Sequence, residues 1–294
     1  MKTIAWPVLA ALALANCDRG ERVNILTGEA MGTTYRIKAV GGVGEAEASI
    51  HKMLQGLDRD LSTWRDDSWV AAFNRAPAAT VMKMPDSVTE LMKLSGRYNE
   101  RTEGRFDPTI GALIRVWGFG AWRGVWKGEP TAGEIEAARA ACGFHHLHID
   151  GKRISKLHSG LMLDFSAIAK GYAVDRMGDI LRDAGCEHYI IEFGGDILAA
   201  GHASGKSGWT VAGPALEKPI TLSDEAIASS GSEHQFRGGH SHVIDPRSGR
   251  PLAVGAPAAA RAKTCAEADA LATAELVASA YEKPGDPMDR VPGD

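Results

Sequence analysis

The chain has 294 residues, 44% hydrophobic and 24% charged, with 33 Lys plus Arg set against 37 Asp plus Glu. Those proportions belong to a folded protein with a real core and exclude disorder as its main state. Neither charge sign gathers into a stripe and no repeat of solenoid length occurs, which excludes nucleic acid as an expected partner and an array as the architecture.

Met1-Lys2 leads into an apolar run from Ile4 to Ala15. A single positive charge before so short an apolar stretch reads as a secretory signal, because about 20 apolar residues are needed to span a bilayer. The run closes on Leu14-Ala15-Asn16-Cys17, which resembles a bacterial lipobox. Residues 1–16 are therefore expected to be removed, Cys17 to be lipidated, and Asp18 to retain the protein in the cell inner membrane, anchored on the periplasmic side. Residues 17–281 then form the folded domain, and the Pro-, Gly- and Asp-rich stretch 282–294 is a disordered tail. The remaining cysteines, Cys142, Cys186 and Cys265, are odd in number and lack zinc spacing, so they read as small buried hydrophobes.

After a short polar stretch, Thr33 to Val40 alternates as a strand, followed by a Gly-rich turn at 41–44. Ile50, Met53, Leu54, Leu57 and Leu61 recur at helical spacing from Glu45 onward. Ser87 with Glu90 has the pattern of a capping box opening a second helix, and Thr131 with Glu134 repeats it before a shorter helix ending near Cys142-Gly143. Residues 146–164 read as short strands turning at Asp150-Gly151, with His145, His146 and His148 on a polar edge. A longer helix is expected from about Ser166 to Ala184, capped by Ser166, with Lys170 one turn in. Tyr189 to Phe193 is a buried strand closed by Gly194-Gly195. Strands continue to about Lys263, with a polar hairpin turn at 201–207, and a last helix runs from near Ala266 to Tyr281. This mixed order predicts an α+β fold of mixed or antiparallel sheets with packed helices.

Several familiar sites are missing, among them GxSxG, HExxH and GxGxxG; the segment Gly201 to Ser207 is one residue short of a P-loop. What remains is subtler. Asp269 and Thr273, four apart on the last helix, set a carboxylate beside a hydroxyl, hard donors of the kind Mg²⁺ takes; the alternative is that Asp269 only complements the helix dipole. Asp164 precedes a helix N-terminus with Lys170 inside it, an arrangement open either to an anion or to simple capping. His242, before Asp245-Pro246, is a candidate general base or a structural strand histidine.

Taken in order, Ala30-Met31-Gly32-Thr33-Thr34, Leu61-Ser62-Thr63-Trp64, Gly104 to Thr109, Trp117-Gly118-Phe119-Gly120, Leu163 to Tyr172, Glu192-Phe193-Gly194-Gly195-Asp196, Ser229-Ser230-Gly231, His242 to Pro246 and Ala268 to Thr273 resemble the ApbE family of FAD:protein FMN transferases. The resemblance runs from about Ala30 to Leu276. It implies an ApbE-type flavin transferase fold and an FAD site lined by Met31, Trp64, Arg105, Phe106, Asp107, Asp164, Lys170 and Ile244, with the Trp64 indole stacking on the flavin. It implies a Mg²⁺ ion held by Asp269, Thr273 and the Ala167 carbonyl, and a transfer role for His242. Ala272 departs from relatives that carry a further Asp there.

The implied reaction moves FMN from FAD to a Ser or Thr of a target flavoprotein bearing a Ser/Thr-Gly-Ala-Ser/Thr type motif, an electron-transfer complex subunit, and releases AMP. Two alternatives use the same residues: a Mg²⁺-dependent FAD pyrophosphatase giving FMN and AMP, and a non-catalytic lipoprotein that binds and delivers FAD. A flavin oxidoreductase is disfavoured by the lack of a Rossmann fingerprint.

Overall fold

The computed structural model describes residues 23–203, 206–213, 215–231, 236–237 and 239–280. The expected signal, Cys17 and the 282–294 tail lie outside them. The chain opens with a hairpin, β1 (Val23–Ala30) and β2 (Thr33–Val40), then α1 (Ala46–Leu61), α2 (Trp69–Arg75), β3 (Met82–Lys83), α3 (Asp86–Arg101), α4 (Gly111–Val116) and α5 (Ala132–Ala140). It continues with β4 (Leu147–Asp150), β5 (Arg153–Lys156), α6 (Ala169–Asp183), β6 (His188–Phe193), β7 (Asp196–Ala200), β8 (Trp209–Val211), β9 (Ile220–Leu222) and β10 (Glu225–Ser230). Last come β11 (Phe236–Arg237), β12 (His240–Ser241), β13 (Ile244–Asp245), β14 (Arg250–Pro251), β15 (Ala258–Ala262) and α7 (Cys265–Ser279).

The organising element is a six-stranded sheet in the order β1-β2-β6-β7-β10-β15, antiparallel at every pairing. Strands β6 and β7 are buried on both faces, so their sequences read as apolar runs rather than alternations. On one face Ile37, Ile191, Phe193 and Leu198 meet Leu54 of α1, Met177 and Leu181 of α6, and the alanine-rich side of α7. On the other face Ile190, Ile197 and Ile227 are covered by Trp209, Val211 and Leu222 of the β8–β9 hairpin. Each such side chain, taken wholly out of water, contributes about 1.5–3 kcal/mol. The fold is α+β.

Both central hairpins turn through two residues with positive φ: Met31 (48°) with Gly32 (79°), and Gly194 (58°) with Gly195 (97°). Turns of that hand match the twist of the strands they join. Since Tyr35 pairs with Phe193, the two turns lie at the same end of the sheet. Glycine carries such angles without strain, whereas Met31 holds a left-handed conformation costing a side-chain residue about 1–2 kcal/mol.

The structure revises several sequence expectations. The polar stretch before Thr33 contains β1, an edge strand with one buried residue, Leu26. Helix α2 is too short to show periodicity. Ser87 lies inside α3, which starts at Asp86 without a side-chain cap; its hydroxyl donates to Asp60. Helix α6 starts at Ala169, because the Asp164 carboxylate takes the Ser166 N–H at 2.8 Å and holds 166–168 as a turn, so Lys170 sits in the first helical turn and Ser166 is not its cap. The strands flanking the turn expected at 201–207 do not pair with each other: β7 pairs with β6 and β10, and β8 with β9. His145 and His146 lie in a short 3-10 turn and only His148 is in a strand.

The box at α5 forms as expected, with the Thr131 hydroxyl accepting from Glu134 N and the Glu134 carboxylate accepting from Thr131 N. Thr131→Ala should therefore cost about 1 kcal/mol, read as a shift in urea midpoint at unchanged slope.

Candidate active site

Helices α6 and α7 cross almost in contact. A Cβ on Gly171 would fall 2.4 Å from the Cys265 carbonyl oxygen, so only glycine permits the approach. The contact is stitched by Asp175, whose carboxylate accepts from Cys265 N at 2.7 Å and Ala266 N at 2.9 Å at the start of α7. Burial pushes the Asp175 carboxyl up to about 6 despite those two donors.

This crossing brings together residues far apart in the chain. Asp269, one turn into α7 and 3% exposed, accepts the Gly171 N–H at 3.2 Å. The Lys170 ammonium stands 3.6 Å from Asp269 and 2.6 Å from Asp196, the first residue after the Gly194-Gly195 turn. Burial alone would depress the lysine pKa, but the two carboxylates outweigh it and hold the ammonium charged. Asp196 is pushed well above the usual carboxylate range, first by its complete burial and then by the charge of Asp269 beside it. Two carboxylates thus share one ammonium, and Asp196 Oδ1 is buried with no hydrogen-bond partner among the described residues.

That excess of hard, negative oxygen fits a divalent cation such as Mg²⁺. Thr273, half-buried one turn beyond Asp269, adds a hydroxyl, and Ala167 lies in the turn that leads into α6. Among the described residues no three His, Cys, Asp or Glu side chains converge as a metal cage, so hydroxyl, carbonyl and substrate oxygens would have to complete the shell.

The other predicted residues lie on separate segments. Asp164 N donates to the Pro108 carbonyl at 2.8 Å, and Gly111 N to Met162 O at 3.0 Å, which ties residues 108–111 to the extended segment 162–164 ahead of α6, not the strand expected there. Asn74 clamps the same segment by donating to Leu163 O at 2.9 Å and accepting from Leu163 N at 2.7 Å. The Asp107 carboxylate accepts from the Thr109 amide and hydroxyl, and burial raises its pKa. Arg105 donates to Thr102 O and pairs with Glu103. The Phe106 ring is sunk in the core at 1% exposure, its N–H donates to the Thr102 hydroxyl and its carbonyl accepts from Asn99.

Trp64 is 61% exposed, with the Arg123 guanidinium 5.4 Å from its ring centre, and presents an open aromatic face. Met31 occupies the strained hairpin turn. Ile244 is buried with Leu113, Trp117 and Phe119. His242 is half-buried, next to Val243, which packs on Leu276 and Val277 just past Thr273. Asp196 was visible in the sequence as the residue after a double glycine, yet nothing local to it signals a partner 26 positions earlier.

Fold and site together fit an α+β enzyme whose candidate site gathers the buried Asp196 and Asp269 carboxylates about Lys170 at the start of a helix. The chain belongs to the ApbE family, whose sequence pattern matches residues 31–284. It is 35% identical to a FAD:protein FMN transferase of Vibrio cholerae serotype O1 over 84% of this chain and 79% of that one. It is 30% identical to another of Klebsiella pneumoniae, over 83% and 77%. The apo crystal structure of Pseudomonas stutzeri flavinyl transferase ApbE superposes with a TM-score of 0.80 at 37% identity, covering 88% of this chain and 86% of that one.

Proposed function

We propose that the protein is a Mg²⁺-dependent FAD:protein FMN transferase, a reading supported above all by the buried Lys170–Asp196–Asp269 cluster at the first turn of α6. FAD lies with its flavin toward Trp64 and Met31 and its pyrophosphate toward Asp269, Thr273 and the α6 N-terminus, where the helix dipole favours negative charge. Arg105, Asp107, Asp164, Lys170 and Ile244 complete the FAD site. A Mg²⁺ ion bound by Asp269, Thr273 and the Ala167 carbonyl would neutralise phosphate charge and ease departure of AMP.

The hydroxyl of a Ser or Thr on the target flavoprotein attacks the FMN phosphorus. The new P–O bond forms as the bridging P–O bond to AMP breaks, and the hydroxyl proton passes to His242. Positioning supplies much of the rate. His242→Ala should accordingly lower transfer by about a hundredfold or more while FAD affinity changes little. Equal loss of both, by steady-state rates and flavin fluorescence titration, would make His242 a structural residue.

The deciding experiment incubates the purified protein with FAD and Mg²⁺, with and without a flavoprotein domain bearing a Ser/Thr-Gly-Ala-Ser/Thr type motif. Intact mass and nucleotide chromatography read the outcome. An acceptor heavier by one FMN unit, with matching AMP, supports the transferase. Free FMN and AMP with an unmodified acceptor mean a pyrophosphatase, and unchanged FAD means a carrier.

The N-terminal sequence supports a lipid anchor at Cys17, holding a domain of residues 17–281 on the periplasmic side of the inner membrane. No helix among the described residues is long and apolar enough to cross a bilayer. Cys17→Ala should move the protein from the membrane to the soluble periplasmic fraction; continued sedimentation with membranes would require another anchor.

A further inference from the structure

The most deeply buried charged side chain described, Asp196, has no part in the chemistry above. It begins β7 directly after the Gly194-Gly195 turn, and that turn is pressed against Lys170: a Cβ on Gly194 would lie 3.3 Å from the lysine Cδ. The backbone on both sides is thus fixed, and the lysine ammonium has two carboxylates within reach. It takes Asp196 Oδ2 at 2.6 Å and stays 3.6 Å from Asp269 Oδ2, which already accepts the Gly171 N–H.

An ammonium on a four-carbon tether is a built-in rival for any divalent cation, because it seeks the same oxygens. If it closed from 3.6 Å to hydrogen-bond distance on Asp269, binding a cation there would first require breaking a tight buried ion pair. We propose that Asp196 is a positioning residue for the cation site: it holds the Lys170 ammonium off Asp269 and so keeps that carboxylate open to Mg²⁺. The role rests on the transferase reading of the site. Its second oxygen, Asp196 Oδ1, is buried with no hydrogen-bond partner among the described residues, so Oδ2 is the oxygen that engages the ammonium. Asp196 thereby occupies the cation's competitor.

The test uses the purified protein free of FAD and Mn²⁺ alone, an ion of like preference for oxygen, with free Mn²⁺ read by electron paramagnetic resonance. Asp196→Asn should weaken Mn²⁺ binding about tenfold or more, the usual size for losing a group that orients a metal site from outside. Adding Lys170→Met to that variant should restore affinity to within about threefold of wild type, and Lys170→Met alone should bind at least as tightly as wild type.

Wild-type affinity in Asp196→Asn overturns the proposal. So does a double variant as weak as Asp196→Asn, since Asp196 would then be a direct ligand. If Asp196→Asn does not give a native circular dichroism spectrum, Lys170→Met decides, and weaker binding than wild type overturns the proposal. Asp269→Asn separates this from the wider reading: if it binds Mn²⁺ like wild type, or wild type binds none, the cation site itself is wrong and the role of Asp196 falls with it.

Discussion

On the proposed mechanism, Asp269→Asn should reduce transfer by at least about a hundredfold, because the cation proposed to neutralise developing phosphate charge loses its carboxylate ligand. The substitution keeps the shape of the side chain and an oxygen to accept the Gly171 N–H, so the α6–α7 contact survives. What it removes is a full negative charge from a buried site where two carboxylates compete for one ammonium. Relieving that competition should leave the thermal midpoint unchanged or raise it, since burying like charges opposes folding. Activity and stability are thus expected to move in different directions, which excludes unfolding as the cause of the loss. The check is AMP release against Mg²⁺ concentration beside a melting curve; full turnover at low Mg²⁺ would falsify the placement of the ion at Asp269.

The second large effect is expected at Gly171. Replacing a helical glycine by alanine ordinarily stabilises a protein by roughly 0.5–1 kcal/mol. Gly56, inside α1, should follow that rule, because its nearest neighbour would be the end of the flexible Arg59 side chain at 3.9 Å. At Gly171 the sign should reverse. The new methyl would stand 2.4 Å from Cys265 O, 2.7 Å from Cys265 C and 2.9 Å from Ala266 Cα, all backbone. Neither helix can yield without breaking the Asp175 bonds to the start of α7, so a loss of about 3 kcal/mol or more is expected. In a domain of this size that lowers the melting midpoint by roughly 10 °C. Paired melts of Gly56→Ala and Gly171→Ala test it, and shifts of the same sign would show that the helices do not touch as described.

Much of this architecture could be read where a signal is local. The strand Thr33–Val40 has the boundaries its alternation predicted, and Thr131 with Glu134 caps a helix because both partners lie within one turn. The same pattern at Ser87 misled, since Asp60 on α1 competes for the hydroxyl. The start of α6 was misplaced for a related reason: Asp164 uses its carboxylate in a turn that delays the helix. Strand β1 escaped because an edge strand exposed on much of its length carries little apolar signal.

Asp269 with Thr273 and Asp164 with Lys170 could be read as candidate pairs within one helix or one helix entry. The approach of Lys170 to Asp269 could not, since it depends on Gly171 letting two distant helices meet. Asp196 illustrates the limit best. Its burial and its lysine partner come from the sheet order, which no short pattern encodes.

The stitching of α7 to α6 also bears on when the enzyme comes into being. Gly171 and Asp269 are 98 positions apart, and Asp175 reaches 90 positions forward to cap α7. Closing loops of that length is slow and comes late in folding, after local helices and hairpins have formed. A chain still emerging, from a ribosome or through a membrane pore, holds Lys170 long before it holds Asp269. Such a chain has Lys170 without the carboxylate proposed to hold the ion. On the proposed site, competence to take up flavin should arrive in one step, when the last helix docks, and a polypeptide that stops short of α7 should be inert however much of the sheet it has made.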